Sequence, residues 1–404
     1  MANILIVTQY FWPEEFRINS IVKELLDKGH SVSVLTGIPN YPSGKVDLDF
    51  LNNKEVYASY GESKVFRVPM LPRGDGYFTL ALNYLAFLFS SSIIGPFLIR
   101  GLKVDFVMVY QLSPATVLLS GYIISLIKKS KYVPWVQDLW PEAVIAVGVG
   151  LWKPVSFVIE KSVNFFLKRS DYVICQSQSF VDTLKKRGVD GSKLKFIPNW
   201  AEDSYSETGL NFAPEILRDK TCFTIMFAGN LGGGQDLPNV LKAIILVSKK
   251  NKKVRWVFVG GGRLLSWMQE EVKRLGLSDN VFILGRFPVD RMPSFFSHAD
   301  VMLITLKDIL VYEMTIPSKL QSYFMAGKPV LGMLSGEGAH TLKNSCAGIT
   351  ADAGNYNGLA IAALEMAGLN KTELMKMGIN SKQFGEENYG KEKLMNELDA
   401  LINL

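Results

Sequence analysis

The chain has 404 residues, enough for two domains of ordinary size that each bury a core. Its 44 basic and 38 acidic residues leave a net charge of +6, too mild to indicate nucleic acid but compatible with anionic lipid head groups or phosphorylated substrates. Three cysteines, Cys175, Cys222 and Cys346, are too widely spaced for a disulfide framework or a redox pair. His30, His298 and His340 stand apart from acids at ligand spacing, so no metal site is expected.

The chain opens on an apolar run, Ile4 to Val7, with no export signal expected before it. That run reads as a strand buried on both faces. An aromatic loop from Thr8 to Glu15 follows. Ile18, Ile21, Val22, Leu25 and Leu26 then recur at helical spacing, and Gly29 ends the helix before a strand over Val32 to Leu35. This βαβ start lacks the Gly-x-Gly-x-x-Gly fingerprint, which argues against a nicotinamide or flavin site there. The loop Gly37 to Lys45 belongs at the carboxyl edge of the sheet, either as a ligand loop or as a plain connector.

No charged residue occurs between Gly76 and Ile99. The stretch is long enough on paper for a membrane span, but Asn83, Ser90 to Ser92 and Gly95-Pro96 argue against a crossing. A buried helix, or one dipping into the membrane interface, fits better. Arg67, Arg73, Arg100 and Lys103 flank it, as a face resting on anionic lipid requires.

Phe106 to Val109 reads as a strand and Leu112 to Leu126 as a helix starting at Ser113-Pro114. The strand Tyr132 to Val136 delivers Asp138 at its carboxyl end, positioned either to meet a hydroxyl group or to serve as a helix cap or ion-pair partner. A strand over Tyr172 to Cys175, a helix to Arg187 and a strand over Lys195 to Ile197 close a first domain at about residue 200. Ala201 to Lys220 reads as a polar linker.

The second domain, residues 201–385, starts with a strand over Phe223 to Phe227. It feeds the loop AGNLGGGQDL, whose glycines permit close approach to a phosphate, and a helix starts at Leu237-Pro238. Val257 to Gly262, Val281 to Leu284 and Val301 to Ile304 repeat the strand-loop pattern. In YEMTIPSKLQSYFMAGKPV, Tyr312 to Val330, a polar loop runs into a short helix from Lys319 to Ala326. Its free amides, with Ser318 and Lys319, form either a diphosphate site or an ordinary helix start. Two doubly wound sheets facing across a cleft follow, and residues 386–404 read as an amphipathic helix crossing back to the first domain.

The stretches QYFWPEEFRIN, GHSVSVLTGIPNYPSGK, VQDLWPEAV, FAGNLGGGQDL, VFVGGGR, VFILGRFP, HADVMLI and IPSKLQSYFMAGKPV occur in an order that resembles the GT-B glycosyltransferases of family four. They are most similar to the WbuB-like group of O-antigen L-fucosamine transferases. The resemblance implies a GT-B fold of two Rossmann-like domains. It also implies retaining, metal-independent transfer of a sugar from UDP to a polyprenyl-diphosphate-linked saccharide, with no cofactor beyond the UDP-sugar co-substrate. The enzyme would be peripheral on the cytoplasmic face of the plasma membrane, without a nucleic-acid partner.

By the same resemblance the donor would meet Gly229, Asn230, Gly232, Gly233 and Gln235 of the glycine loop, and Arg263, Arg286, Phe287, Ser318, Lys319, Gln321 and Ser322. The acceptor would meet Arg17, Asn40, Tyr41 and Lys45, with Asp138 near the reacting hydroxyl and Glu313 near the donor sugar. Two positions depart from the family pattern. Ser322 stands where a ribose-binding glutamate is usual, with Gln321 as a substitute, and Glu313 is one place out of register. Two other readings stay open on the same fold: a hydrolysing UDP-sugar epimerase, and an inactive nucleotide-sugar-binding partner protein.

Overall fold

The computed structural model describes residues 1–74, 76–146, 152–201, 205, 213–216 and 221–404. Most of the expected linker, Ala201 to Lys220, lies outside them. The chain forms two compact units. One comprises Met1–Ile197 with Met395–Leu404, and the other Pro198–Leu394.

The first unit holds β1 (Asn3–Val7), β2 (Ser31–Thr36), β3 (Ser59–Tyr60), β4 (Ser63–Arg67), β5 (Phe106–Gln111), β6 (Lys131–Val136), β7 (Val173–Cys175) and β8 (Leu194–Phe196). They form one sheet in the order β3-β4-β2-β1-β5-β6-β7-β8, parallel throughout except for β3 against β4. Central strands such as β5 are buried along their whole length, which is why they read as unbroken apolar runs. The second unit holds β9 (Phe223–Ala228), β10 (Val254–Val259), β11 (Val281–Gly285), β12 (Val301–Thr305), β13 (Val330–Met333) and β14 (Gly348–Ala351), all parallel, in the order β11-β10-β9-β12-β13-β14. Strand order reverses at β1, between β2 and β5, and at β9, between β10 and β12. Open α/β sheets bind ligands beyond the carboxyl ends of the strands at such reversals.

The charge-free stretch is one helix, Tyr77–Leu98, with Pro96 in its last turn. Its amphipathicity is inverted. Asn83, Phe87, Ser91 and Gly95, one turn apart in succession, face the unit, with Asn83 accepting from Gln9 Nε2 at 2.7 Å and Ser91 Oγ 2.6 Å from Ser120 Oγ. A methyl on Gly95 would meet Leu35 Cδ2 at 2.8 Å. Leu85, Phe89, Ile93 and Phe97 point outward and are exposed. The helix is long and apolar enough to span a membrane, yet only 22% of its apolar stretch is buried in the protein. Simple burial is therefore not its arrangement. The neighbouring helix Val117–Lys128 begins four residues later than Ser113-Pro114 suggests, and the Ser113 amide is bonded to the Asp138 carboxylate.

A further helix, Lys153–Lys168, was not anticipated. It packs on Val117–Lys128 and exposes Trp152, Phe157 and Val158. In the last segment, helix Lys391–Ile402, Asp399 lies 2.7 Å from His30 Nε2 and Asn396 accepts from Lys28 Nζ at 2.6 Å, both within the first unit.

Candidate active site

In the second unit two glycine loops lie side by side at the carboxyl ends of β9 and β10. Gly229 N–H donates to Val259 O at 2.8 Å, Leu231 N–H to Gly261 O at 2.7 Å and Leu264 N–H to Leu231 O at 3.0 Å. The approach is too close for side chains: a Cβ on Gly260, at φ +144°, would lie 1.9 Å from Gly229 O. Tyr323 ties the end of β9 to the helix Ser318–Met325, its hydroxyl accepting from Ala228 N–H at 3.1 Å and donating to Ala228 O at 3.2 Å.

Lys319, in the first turn of that helix, folds back over Gly229. A Cβ on Gly229 would stand 3.0 Å from Lys319 Cδ and 3.5 Å from Nζ. The ammonium lies 5.2 Å from the centre of the Phe227 ring, and among the described residues Lys319 makes no ion pair. Part of the side chain remains open to solvent, but the protein packed around it withholds enough water to push its pKa down to about 8. An unpaired cation beside glycine amides is suited to an anion.

The other expected donor residues are arranged unevenly. Asn230, Arg263, Arg286 and Ser318 are exposed, and Gly232, Gly233 and Phe287 half-buried, with Phe287 packed 4.7 Å from Phe295. The half-buried Gln235 fixes the loop through its carbonyl, which accepts from Thr305 Oγ1 at 2.6 Å. Ser322 is half-buried and donates to Ser318 O at 3.3 Å. Gln321 is only 1% exposed, with its Oε1 lacking a hydrogen-bond partner among the described residues, and helical geometry turns it away from the face that Ser318 and Ser322 share. Glu313 ends the short helix Leu310–Glu313, and burial together with the adjacent Asp308 raises its pKa.

In the first unit Asp138 follows β6. Its Oδ2 accepts from Ser113 N–H at 2.9 Å and Ser113 O–H at 2.8 Å, and Trp140 Nε1–H donates to Ser113 Oγ at 3.1 Å. Asp138 is in no ion pair among the described residues, and the amide it holds belongs to another loop. Burial raises its carboxyl pKa, and the two Ser113 bonds partly offset this.

The loop expected to meet the acceptor, Gly37 to Lys45, is organised by a residue that sequence reasoning missed. Glu14 is buried, and its carboxylate accepts from Asn40 N–H at 2.8 Å, Tyr41 N–H at 2.7 Å and Phe11 N–H at 3.2 Å. Burial raises its pKa against those three bonds and the nearby Arg67 charge. Arg67 does not flank the apolar helix as expected. It turns inward, donating to the carbonyls of Gly37 and Trp12, and desolvation lowers its pKa to about 10. A glutamate inside the aromatic, proline-bearing loop QYFWPEEF was the available signal. Asn40 is buried and occupied, donating to Ile38 O at 2.7 Å and accepting from Arg73 N–H at 3.1 Å. Tyr41 and Lys45 are exposed, and Arg17 is half-buried at the start of helix Arg17–Asp27.

Comparison with known proteins gives two separate domain matches. Residues 15–200 match the Glycosyl transferase 4-like domain, and residues 222–368 match the Glycosyl transferases group 1 model. The probable glycosyltransferase WbjE of Pseudomonas aeruginosa is 28% identical over 264 residues, 63% of this chain and 62% of that protein, so the alignment spans less than two thirds of the relative. The putative colanic acid biosynthesis glycosyl transferase WcaI of Escherichia coli is 23% identical over 80% of this chain and 81% of its own. Among solved structures, HepE of Anabaena in complex with UDP superposes with a TM-score of 0.72 at 16% identity, over 100% of both chains. That likeness shows the fold, the pair of Rossmann-like sheets of GT-B proteins. The two matches take in every strand from β2 to β14, and each half of the chain is thus similar to a glycosyl transferase domain.

Proposed function

We propose that the protein is a retaining glycosyltransferase that moves a sugar from a UDP donor to a polyprenyl-diphosphate-linked saccharide in O-antigen or capsule-type polysaccharide synthesis. The second unit takes the donor and the first takes the acceptor. The bond from the sugar C1 to the β-phosphate oxygen breaks, with its electron pair leaving on UDP. A bond from C1 to the acceptor oxygen forms on the same face, and the acceptor proton ends on the departing diphosphate. The leaving group gains negative charge as C1–O breaks, and the Lys319 ammonium with the free amides of the Ser318 helix start would stabilise it without a metal. Asp138 would orient the attacking hydroxyl.

The observation that carries this reading is the unpaired Lys319 laid over Gly229 at the strand-order reversal. HepE, of the same fold, has been crystallised with UDP-glucose, which supports a UDP donor. The WbuB-like resemblance suggests an amino-deoxy sugar such as N-acetyl-L-fucosamine. The outward apolar face of helix Tyr77–Leu98, with exposed Arg100, Lys103 and Lys129 nearby, supports peripheral attachment to the anionic cytoplasmic face of a membrane.

Incubation of purified protein with labelled UDP-sugars and a lipid-diphosphate saccharide tests the proposal. Labelled lipid is the expected product. A changed sugar nucleotide without transfer would make the protein an epimerase, and binding with neither product would make it a nucleotide-sugar-binding partner.

A further inference from the structure

The connection from β4 to the apolar helix, residues 68–76, carries Arg73 on a fixed seat. Arg73 N–H donates to Asn40 Oδ1 at 3.1 Å, Gly74 N–H to Gly44 O at 2.8 Å, and Leu71 O accepts from Asn83 Nδ2 at 2.6 Å. The backbones of Gly44 and Gly74 touch: a Cβ on Gly44 would lie 2.8 Å from Gly74 O. The Arg73 guanidinium carbon lies 5.4 Å from the centre of the Tyr41 ring, which itself packs on Tyr10 and Phe16 at 5.7 and 5.1 Å.

The two arginines of this region differ in what holds their charge. Arg67 is consumed inside the unit by two carbonyls and the charge of Glu14. Arg73 makes no ion pair with any described residue and keeps part of its surface open. The hydroxyls of Tyr10 and Tyr84 both lie within its field, and Tyr84 also lies within that of Asp138. Tyr84 thus senses both the Arg73 charge and the acid proposed to orient the acceptor hydroxyl, and that acid is not paired with Arg73. Four residues further on, helix Tyr77–Leu98 begins and turns its apolar side outward, from Phe78 through Phe89 to Phe97, along about 30 Å.

We propose that Arg73, seated on Tyr41 beside Tyr10 and Tyr84, binds the diphosphate of a lipid-linked acceptor, whose hydrocarbon chain lies along the outward face of helix Tyr77–Leu98. The proposal rests on the reading that the first unit takes such an acceptor. A guanidinium presents paired N–H groups that match phosphate oxygens, and stacking on an aromatic ring orients that fork without neutralising it. With the diphosphate at Arg73, the saccharide is directed toward Asp138 and the lipid away from it.

The test is equilibrium binding of geranyl diphosphate and inorganic pyrophosphate to the full chain with its donor site saturated by UDP. Arg73→Gln is expected to weaken geranyl diphosphate at least about tenfold, and Arg73→Lys, which keeps the charge but loses the paired N–H groups, by a smaller factor of about threefold to fivefold. Geranyl diphosphate is expected to bind wild type more tightly than pyrophosphate. Binding of geranyl diphosphate to Arg73→Gln within about twofold of wild type overturns the site. Equal wild-type affinity for the two probes reduces it to a free-phosphate site and also overturns the proposal. An unchanged thermal midpoint checks that each variant is folded. Because no transfer is measured, a protein that binds geranyl diphosphate through Arg73 yet glycosylates nothing would sink the transferase reading and leave this site standing.

Discussion

A methyl group on Gly229 would stand 3.0 Å from Cδ of Lys319, at a backbone φ of +140° that L-residues avoid. Strand end and helix start are thus matched so closely that the lysine covers the glycine. Gly229→Ala adds backbone strain on the order of 1–2 kcal/mol and pushes the ammonium off its seat. UDP affinity should fall about tenfold while the chain stays folded, as titration calorimetry and circular dichroism would show. An unchanged UDP titration would move the phosphate site elsewhere.

The Lys319 ammonium should burden the protein when no nucleotide is bound. Folding lowers its pKa from 10.5 to about 8, so the native state disfavours the charged form. The cost is full below pH 8 and is relieved as pH rises from 8 toward 10.5. Lys319→Met should therefore raise the unfolding free energy at pH 7 by about 1–3 kcal/mol, with the gain shrinking by pH 10. The same variant should lose most UDP affinity, a trade of function against stability. Denaturant titrations at the two pH values decide it, and destabilisation at pH 7 would show that the charge already has a partner.

Much of this arrangement was legible in the sequence for a physical reason. Doubly buried strands must be continuous apolar runs, so β1, β5, β6 and β9 were visible without partners. Lys319 was visible because a proline-bearing loop entering a helix is a local signal. The burial of Gln321 was not legible, because adjacent helix positions face about 100° apart and only the fold shows which of Gln321 and Ser322 turns inward. Glu14 escaped notice, and Arg67 was assigned to the lipid-facing side, because their partners, at Asn40, Tyr41 and Gly37, lie about thirty residues away in the chain and meet only when the sheet assembles. The apolar helix misled in a third way: Asn83 and Ser91 looked like interruptions of a span, whereas they are its protein-facing side.

Asp138 and Ser113 offer a test of the acceptor half. Asp138→Asn should lower turnover far more than it weakens donor binding, and equal loss in both would remove Asp138 from the reaction. Ser113→Ala should leave the carboxylate in place, still held by the backbone N–H at position 113, but remove the hydroxyl bond that favours its charged form. Its pKa would rise further, so the acidic limb of the rate profile, where activity falls as the carboxylate is protonated, should move to higher pH. A limb that does not move would mean that another group sets it.

Glu14 should matter through the loop it holds. Glu14→Ala strands the amides of Asn40 and Tyr41 and leaves Arg67 buried without the nearby carboxylate, for a loss of about 3–5 kcal/mol. Glu14→Gln keeps an acceptor at one position and should cost less stability. It should also raise the KM for the acceptor while leaving that for the UDP donor unchanged. A rise in both would point to general loosening of the unit.

The inverted helix gives the membrane prediction. Phe78 is 75% exposed and Phe97 71%. On the neighbouring helix Val117–Lys128, Leu126 and Ile127 are also exposed, and helix Lys153–Lys168 adds Trp152, Phe157 and Val158. Fully burying one such large side chain contributes about 1.5–3 kcal/mol, so even partial insertion of several outweighs the weak attraction of a net charge of +6. The protein should sediment with phosphatidylglycerol vesicles at low salt, and salt should release only part of it, because screening weakens the contribution of Arg100, Lys103 and Lys129 but not the apolar one. Phe89→Ser combined with Ile93→Ser should reduce sedimentation at high salt, where the apolar contacts act alone. Complete recovery of wild type in the supernatant at low salt would mean that this face meets a protein surface, because an uncovered patch of this size is not expected on a monomer in water.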